Sequence, residues 1–111
     1  MAESEIIKDL PGVLKHTRTL RALFSSRGTV EIMLSLCCKT HGVRFTELHR
    51  TIQEISTRTL ATRLRELEKN GILTRQSFNE IPPRVEYRLT EKGQEMVNAI
   101  LALTRWMTKW S

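Results

Sequence analysis

The sequence predicts a mainly α-helical single domain that carries one small β-hairpin. Apolar residues recur at helical spacing through most of the 111 residues. Their period changes to two after Gly71, as it does in a β-strand. The pentapeptide NEIPP, residues 79–83, separates two such alternating segments. This arrangement is typical of a hairpin whose loop is stiffened by proline.

The N-terminal part of the chain predicts two helices. The first covers residues 10–24, with Asp9 as its N-cap, and residues 25–28 break it. Thr29 is then the predicted N-cap of a second helix, which Gly42 ends. The apolar residues of this second helix cover more than one face, so we expect it to be largely buried.

The middle of the chain predicts a short strand followed by two helices. Residues 43–44 form the strand, and the helix FTELHRTI follows at residues 45–52. A turn at residues 53–55 leads to a helix that has Ser56 as its N-cap and Gly71 at the C′ position. Two helices joined by about three residues form the helix-turn-helix pattern.

The hairpin and one more helix complete the predicted domain. The strands are ILTRQSF and RVEYRL, and Thr90 is the N-cap of the last helix. Apolar residues of that helix follow a heptad seam, namely Met96, Ile100, Leu103, Met107 and Trp110. The stripe is wider than one side of a small domain needs, because it also includes Val97, Leu101 and Trp106. This excess predicts a homodimer.

The net charge indicates the kind of partner. The chain has a formal charge of +6, and arginine outnumbers lysine by twelve to six. A basic surface suits a polyanion, and the arginine bias favours nucleic acid because a guanidinium pairs bidentately with phosphate and with guanine. The order of elements, a helix-turn-helix followed by a hairpin, therefore predicts a winged helix-turn-helix that binds double-stranded DNA.

The helix after the turn combines a buried face with a basic one. Leu60, Leu64 and Leu67 share one side of a helical wheel. Candidates for base-edge contacts lie in its N-terminal half, and they are Arg58, Ala61 and Thr62. Candidates for phosphate contacts lie at its start and in its later turns, and they are Ser56, Thr57, Arg65 and Lys69. Any surface helix can show charges opposite a leucine stripe, so the prediction depends on the order of elements.

Arg84 follows Pro83 near the hairpin tip. In a wing, this arginine would enter a minor groove or contact phosphate. The alternative is a charge at the edge of a strand that blocks aggregation. Arg75 and Arg88 are weaker candidates, because both can pair with acidic residues across the strands.

The cysteines and histidines predict neither a disulfide nor a metal site. Cys37 and Cys38 are adjacent within the mostly apolar LSLCCKT, which raises thiol pKa and favours core packing over redox sensing. His16, His41 and His49 lie in three different segments, and no fourth metal ligand is evident. Without a glycine-rich phosphate loop or a Ser-His-Asp set, we expect no cofactor and no enzymatic activity.

The start of the chain predicts the compartment. MAESEIIKDL is acidic and lacks a long apolar run, so we expect no signal peptide. No window reaches the roughly 18 apolar residues of a membrane span. Since no disulfide framework is evident either, we expect a cytoplasmic protein.

Three stretches, RFTELHRTI, ISTRTLATRLRELEKNGILTR and PPRVEYRLTEKG, resemble the HxlR-type family of winged-helix transcriptional regulators. The resemblance covers about residues 43–93. It implies a homodimer on double-stranded DNA, with recognition helix 56–70 in the major groove and wing 72–89 beside it. It also implies that segments 1–28 and 91–111 form the dimer interface around a core of residues 29–90. Many members carry a sensing cysteine near the N-terminus, and residues 1–28 contain none.

Two other functions remain open at this stage. A winged helix can be a protein-interaction module, although such a module should carry apolar residues at positions 58, 62 and 65. A sequence-independent architectural DNA-binding protein would share the basic surface and would lack a preferred site.

Overall fold

The computed structural model describes residues 8–111. Its helices and strands, in chain order, are α1 Leu10–Lys15, α2 Thr17–Ser25, α3 Thr29–Cys37, β1 Val43–Arg44, α4 Phe45–Thr51, α5 Thr57–Lys69, β2 Leu73–Phe78, β3 Arg84–Leu89 and α6 Glu91–Lys109. The predicted fold class, mainly α-helical with a small β-hairpin in a winged helix-turn-helix, is confirmed. Residues 1–7, on which part of the predicted N-terminal arm and the signal-peptide prediction fall, lie outside the described residues.

The strands form one antiparallel sheet in the order β1-β3-β2. β2 and β3 pair along their whole length, and residues 79–83 connect them as predicted. β1 pairs with the other side of β3, where Val43 lies opposite Tyr87 and Arg44 lies opposite Glu86. The predicted short strand thus anchors the start of the helix-turn-helix to the base of the wing.

The core lies between the sheet and helices α3, α5 and α6. Its largest fully buried side chains are Ile32, Met33, Leu48, Leu60, Leu64, Leu73 and Val97. The predicted leucine face of α5 is therefore confirmed. Burying each leucine contributes about 1.5–3 kcal/mol, so α5 is fixed through one face while its other face remains at the surface.

Three predicted helix ends are confirmed. Ser56 Oγ accepts a hydrogen bond of 3.1 Å from the Thr59 N–H at the start of α5. Thr90 Oγ1 accepts one of 3.0 Å from the Gly93 N–H at the start of α6. Gly71 follows α5 with a φ of 75°, the left-handed conformation that favours glycine after a helix.

The predicted helix over residues 10–24 is wrong in one respect, since it is divided at His16 into α1 and α2. The hydroxyl of Thr17 donates a hydrogen bond of 2.8 Å to the Leu14 carbonyl. Such side-chain bonds to the backbone compete with helical hydrogen bonds. Asp9 occupies the N-cap position, but its side chain makes no capping hydrogen bond.

The predicted ends of α3 are also wrong. Its N-cap is Gly28, with a φ of 92°, and Thr29 is buried within the first turn. The helix ends at Cys37 and not at Gly42. The chain leaves the helix early because residues 38–42 must cross to the sheet, where β1 pairs with β3.

The predicted seam of α6 lies in two environments. Ile100 of the seam and the neighbouring Val97 are buried in the core, whereas Leu103, Trp106, Met107 and Trp110 are exposed. We give the name terminal apolar face to these residues and the exposed apolar residues of α1 and α2, namely Leu10, Val13, Leu14, Leu20, Phe24, Leu103, Trp106, Met107 and Trp110. Within residues 8–111, no helix combines the length and apolarity that crossing a membrane requires.

Candidate nucleic-acid interface

Helix α5 presents the predicted contact residues on its solvent side. Ser56, Thr57, Arg58, Arg65 and Lys69 are exposed. Ala61 and Thr62 are half-buried and lie between these residues and the leucine face. The structure therefore brings all seven together on one helix and at its N-terminus.

Hydrogen bonds along α5 orient part of this surface. Thr62 Oγ1 donates to the Arg58 carbonyl at 3.0 Å, and Arg65 Nη2 donates to Thr62 Oγ1 at 3.4 Å. The Arg65 guanidinium therefore leans toward the N-terminal half of the helix.

Arg63, also on α5, differs from the exposed basic residues of that helix because its guanidinium is bonded to other parts of the protein. Its Nε donates to the Arg27 carbonyl at 2.9 Å, and its Nη1 lies 3.4 Å from Glu66 Oε1. Arg63 thus joins α5 to the segment before α3. Its guanidinium is therefore bonded within the fold, whereas the Arg58 guanidinium has no hydrogen-bond or ion-pair partner among residues 8–111.

A groove separates α5 from the hairpin. It is lined by Ala61, Leu64, Arg65, Glu68, Arg75 and Tyr87. The two arginines come from opposite walls, and Arg75 is exposed on β2. From the sequence alone, Arg75 is only a weak candidate for a DNA contact. The packing of β2 beside α5 is what places it next to Arg65.

Arg84 lies at the start of β3 and is held by other residues of the hairpin. Its Nη2 is 3.3 Å from Glu80 Oε1, and its Nε is 3.3 Å from Glu86 Oε2. The guanidinium carbon lies 4.1 Å from the centroid of the Phe78 ring, within cation–π distance. The side chain is 31% exposed. A phosphate would therefore compete with two carboxylates for this arginine.

Arg88, the other weak candidate, has a structural role. Its Nη1 donates to the Thr40 carbonyl at 3.2 Å. This bond joins β3 to the segment between α3 and β1.

A second groove at the helix-turn-helix contains residues that sequence reasoning missed. It lies between α4 and the start of α5 and is lined by Phe45, Thr46, His49, Arg50, Gln53 and Thr57. Arg50 and Gln53 are exposed there. The available signal was the basic side chain of Arg50 near the end of α4 and the amide side chain of Gln53 in the turn that follows.

The two cysteines differ in burial. Cys37 is half-buried, as the prediction of core packing requires, whereas Cys38 is exposed, so the prediction is wrong for Cys38. Burial, with a smaller effect of the neighbouring thiol, raises the pKa of Cys37. Within residues 8–111, no group of three or more His, Cys, Asp or Glu side chains could hold a metal ion.

Comparisons with known proteins relate this geometry to a family. A family model described as HxlR-like helix-turn-helix matches residues 23–111. A protein of Methanothermobacter thermautotrophicus is 46% identical over 74 residues, which are 66% of this chain and 56% of that protein. YtfH of Escherichia coli is 38% identical over 95 residues, which are 86% of this chain and 68% of YtfH. Both are named HTH-type transcriptional regulators.

A solved structure shares the fold. A transcriptional regulator of the MarR family from Enterococcus faecalis superposes with a TM-score of 0.72 at 35% identity, over 85% of this chain and 86% of that one. The matched segment spans little more than half the length of the Methanothermobacter relative, 56%. The family model covers most of the chain, including the helix-turn-helix, the wing and α6. The chain therefore belongs to the HxlR-like helix-turn-helix family of transcriptional regulators.

Proposed function

We propose that the protein is a sequence-specific transcriptional regulator that binds double-stranded DNA as a homodimer. The observation that supports this most strongly is the exposed polar and basic face of α5, which is fixed to the core by leucines on its other side. A helix held in this way beside a wing has the arrangement of a major-groove reader.

Each part of the interface has a proposed role. Arg58, Ala61 and Thr62 contact base edges, with Ala61 against a thymine methyl. Phosphates are bound by Ser56 and Thr57 at the helix start, where free N–H groups favour anions, and by Arg65 and Lys69. The wing, residues 72–89, lies on the flanking backbone or minor groove, where Arg75 and Arg84 supply positive charge.

The terminal apolar face supports the dimer. Trp106 is 59% exposed and Trp110 is 69% exposed. Exposed aromatic and aliphatic residues in one region mark a surface that another molecule covers. A symmetric pair formed through α1, α2 and α6 would present two α5 helices about one DNA turn apart, which suits an inverted repeat.

The rival functions differ from this one at defined positions. A protein-interaction module should have apolar residues where Arg58, Thr62 and Arg65 lie on α5. An architectural protein would bind DNA without preferring a sequence. We propose a cytoplasmic protein, acting on chromosomal DNA without a cofactor and without catalysis.

A DNA titration tests the proposal. The protein is titrated against a fluorescent duplex of the region upstream of its own gene and against a scrambled duplex, over a series of salt concentrations. We expect a preference of about 10³-fold or more for the upstream duplex and a steep fall in affinity with salt.

Other results have distinct meanings. Equal, salt-sensitive binding to both duplexes would contradict sequence-specific binding in this region and favour an architectural protein. Failure to bind either duplex at low salt would favour the protein-interaction module.

A further inference from the structure

Cys37 and Cys38 form a pair of thiols at the end of α3 and are not among the residues proposed to contact DNA. Their Sγ atoms are 3.5 Å apart. Cys37 also donates a hydrogen bond of 3.1 Å to the Leu34 carbonyl. Because Cys38 is exposed and Cys37 is half-buried, a ligand arriving from solvent can bind Cys38 first and close onto Cys37.

The separation of the two sulfur atoms selects the geometry of the ligand. Bonds of about 2.3 Å place two thiolates about 3.8 Å apart at a tetrahedral centre and about 4.6 Å apart at a linear one. The observed 3.5 Å fits an angular centre. The distance therefore disfavours a linear two-coordinate ion such as Cu(I) or Hg(II).

The number of side chains that can act as ligands restricts further which species the two cysteines can bind. Within residues 8–111, no third side chain joins these cysteines to complete a metal site. A zinc ion would need four ligands. A trivalent organic arsenical already holds one carbon substituent and forms two further bonds, for which soft sulfur ligands are suited.

We propose that Cys37 and Cys38 form a dithiol site for trivalent organic arsenicals. An arsenical of formula R–As(OH)₂ loses both hydroxyl groups and forms two As–S bonds. The two thiol protons leave with the hydroxyl groups as two molecules of water. Arsenic remains trivalent throughout, so neither an oxidant nor a reductant is needed.

The two cysteines take part in this reaction in a definite order. Cys38 is exposed, so its sulfur forms the first bond to arsenic. Burial raises the pKa of the Cys37 thiol, which lowers the reactivity of that thiol on its own. The bond from Cys37 forms second, and it is favoured because it is intramolecular.

The site is connected to the wing through residues 38–42. Arg88 of β3 donates to the Thr40 carbonyl at 3.2 Å. Gly42 is buried so tightly against Glu86 of β3 that an added Cβ would collide with that side chain. Ring closure removes the Cys37 hydrogen bond to the Leu34 carbonyl, which changes the end of α3. We infer that this change reaches β3 through these two contacts and that arsenical binding weakens DNA binding. This coupling depends on the proposed function.

Native mass spectrometry tests the site itself. The reduced protein is incubated with phenylarsine oxide and then challenged with excess glutathione or with dimercaptopropanol. We expect one phenylarsenic group per chain, retained in glutathione and released by the dithiol. Cys38→Ser and Cys37→Ser should retain it about 100-fold less well, because the second bond is intramolecular only in the dithiol.

Both serine variants are chosen to preserve the fold. Cys38 is exposed, and a serine at position 37 can still donate a hydrogen bond to the Leu34 carbonyl. Circular dichroism spectra show whether each variant keeps the helical content of the wild-type protein. If glutathione strips the wild-type adduct as readily as the adduct of either serine variant, the dithiol site is wrong.

DNA titration tests the coupling. We expect the arsenical to lower affinity for the preferred duplex by about 5- to 150-fold, the usual range of coupling between sites. Dimercaptopropanol should restore the affinity, and Cys38→Ser should show no change. A fully loaded protein with unchanged affinity would overturn the coupling. If the unloaded protein binds no DNA, the proposed function fails, and the mass measurement still tests the site.

Discussion

At the scale of single residues, Arg58 and Arg65 of α5 are expected to act differently on DNA. Arg65→Ala should weaken binding to preferred and scrambled duplexes alike and lower the salt slope by about one, because it removes a phosphate contact. Arg58→Ala should cost about 1–3 kcal/mol on the preferred duplex and much less on the scrambled one. Fluorescence titrations on both duplexes measure the difference.

Arg105→Ala is the matched control for these arginine variants. Arg105 is exposed on α6, about 160° around the helix from Leu103 and Met107, and it lies outside the proposed interface. Its removal should leave both affinities nearly unchanged. An equal loss on the two duplexes for Arg58→Ala would show that Arg58 does not read bases.

Gly93 is a residue whose small size decides the packing of α6. Alanine normally stabilises a helix by about 1 kcal/mol relative to glycine. Here an added Cβ would collide with the Ile72 carbonyl oxygen. We expect Gly93→Ala to lower the free energy of unfolding by about 1–3 kcal/mol, measured by urea denaturation.

Ala102→Gly provides the comparison on the same helix. Ala102 is exposed on α6, so its replacement should cost about 1 kcal/mol through helix propensity alone. Opposite substitutions at the two positions should therefore both destabilise the protein. A higher urea midpoint for Gly93→Ala would rule out the close approach to Ile72.

At the scale of elements, the wing has an acidic restraint on its own arginine. Glu80 and Glu86 each lie 3.3 Å from the Arg84 guanidinium. We expect Glu80→Gln to strengthen DNA binding, on the order of 0.5–1 kcal/mol, because it frees Arg84 to contact phosphate. Titration at low salt provides the measurement.

A double-mutant cycle shows whether the gain depends on Arg84. In an Arg84→Ala background, Glu80→Gln should no longer strengthen binding if the two residues act together. A gain of the same size in that background would assign the effect to the net charge of the hairpin. Arg84 would then be a structural residue of the wing.

Some elements could be predicted from sequence because their signals are local. The leucine repeat of α5, its Ser56 cap and the alternating strands around NEIPP all lie within a few turns or residues. The end of α3 could not be predicted in the same way. It depends on Val43 pairing with Tyr87, far along the chain, and residues 38–41, CKTH, contain no proline or glycine that would mark the true end locally.

The division between α1 and α2 was missed for a different reason. The apolar spacing continues across His16, so periodicity alone favours one helix. The break coincides with a single hydroxyl, that of Thr17, bonded to the Leu14 carbonyl. Threonine is common within helices as well, and its presence in the sequence does not distinguish the two outcomes.

At the scale of the whole molecule, the candidate site was only partly visible in the sequence. The contact residues on α5 follow from one helical wheel, and the structure groups them on one face. Arg75 and Arg50 belong to grooves that form when separate elements pack together. No spacing along the chain relates Arg75 to Arg65, so their proximity requires the fold.

The terminal apolar face predicts the assembly state. We expect Met107→Glu to leave the fold intact, since Met107 is 56% exposed. It should abolish dimers at micromolar concentration, because two like charges facing each other across an interface cost several kcal/mol. Sedimentation velocity measures the change. Affinity for a duplex with two half-sites should fall, and affinity for one half-site should not.

Ile81→Glu is the matched control for this charge insertion. Ile81 is a fully exposed apolar residue in the hairpin loop, outside the terminal apolar face. Its variant should sediment as the wild type does. Dimers that persist in Met107→Glu, or a wild-type protein that sediments as a monomer, would contradict the proposed interface.

The exposed half of α6 also bears on how a promoter would respond to the amount of regulator in a cell. If the chain must pair before it binds its operator, the concentration of active species at low abundance rises with the square of the number of chains. A twofold change in synthesis would then produce close to a fourfold change in operator-competent protein. The exposed tryptophans and methionine at the end of the helix would thus set a threshold in gene dosage, and a monomeric variant would lose that threshold.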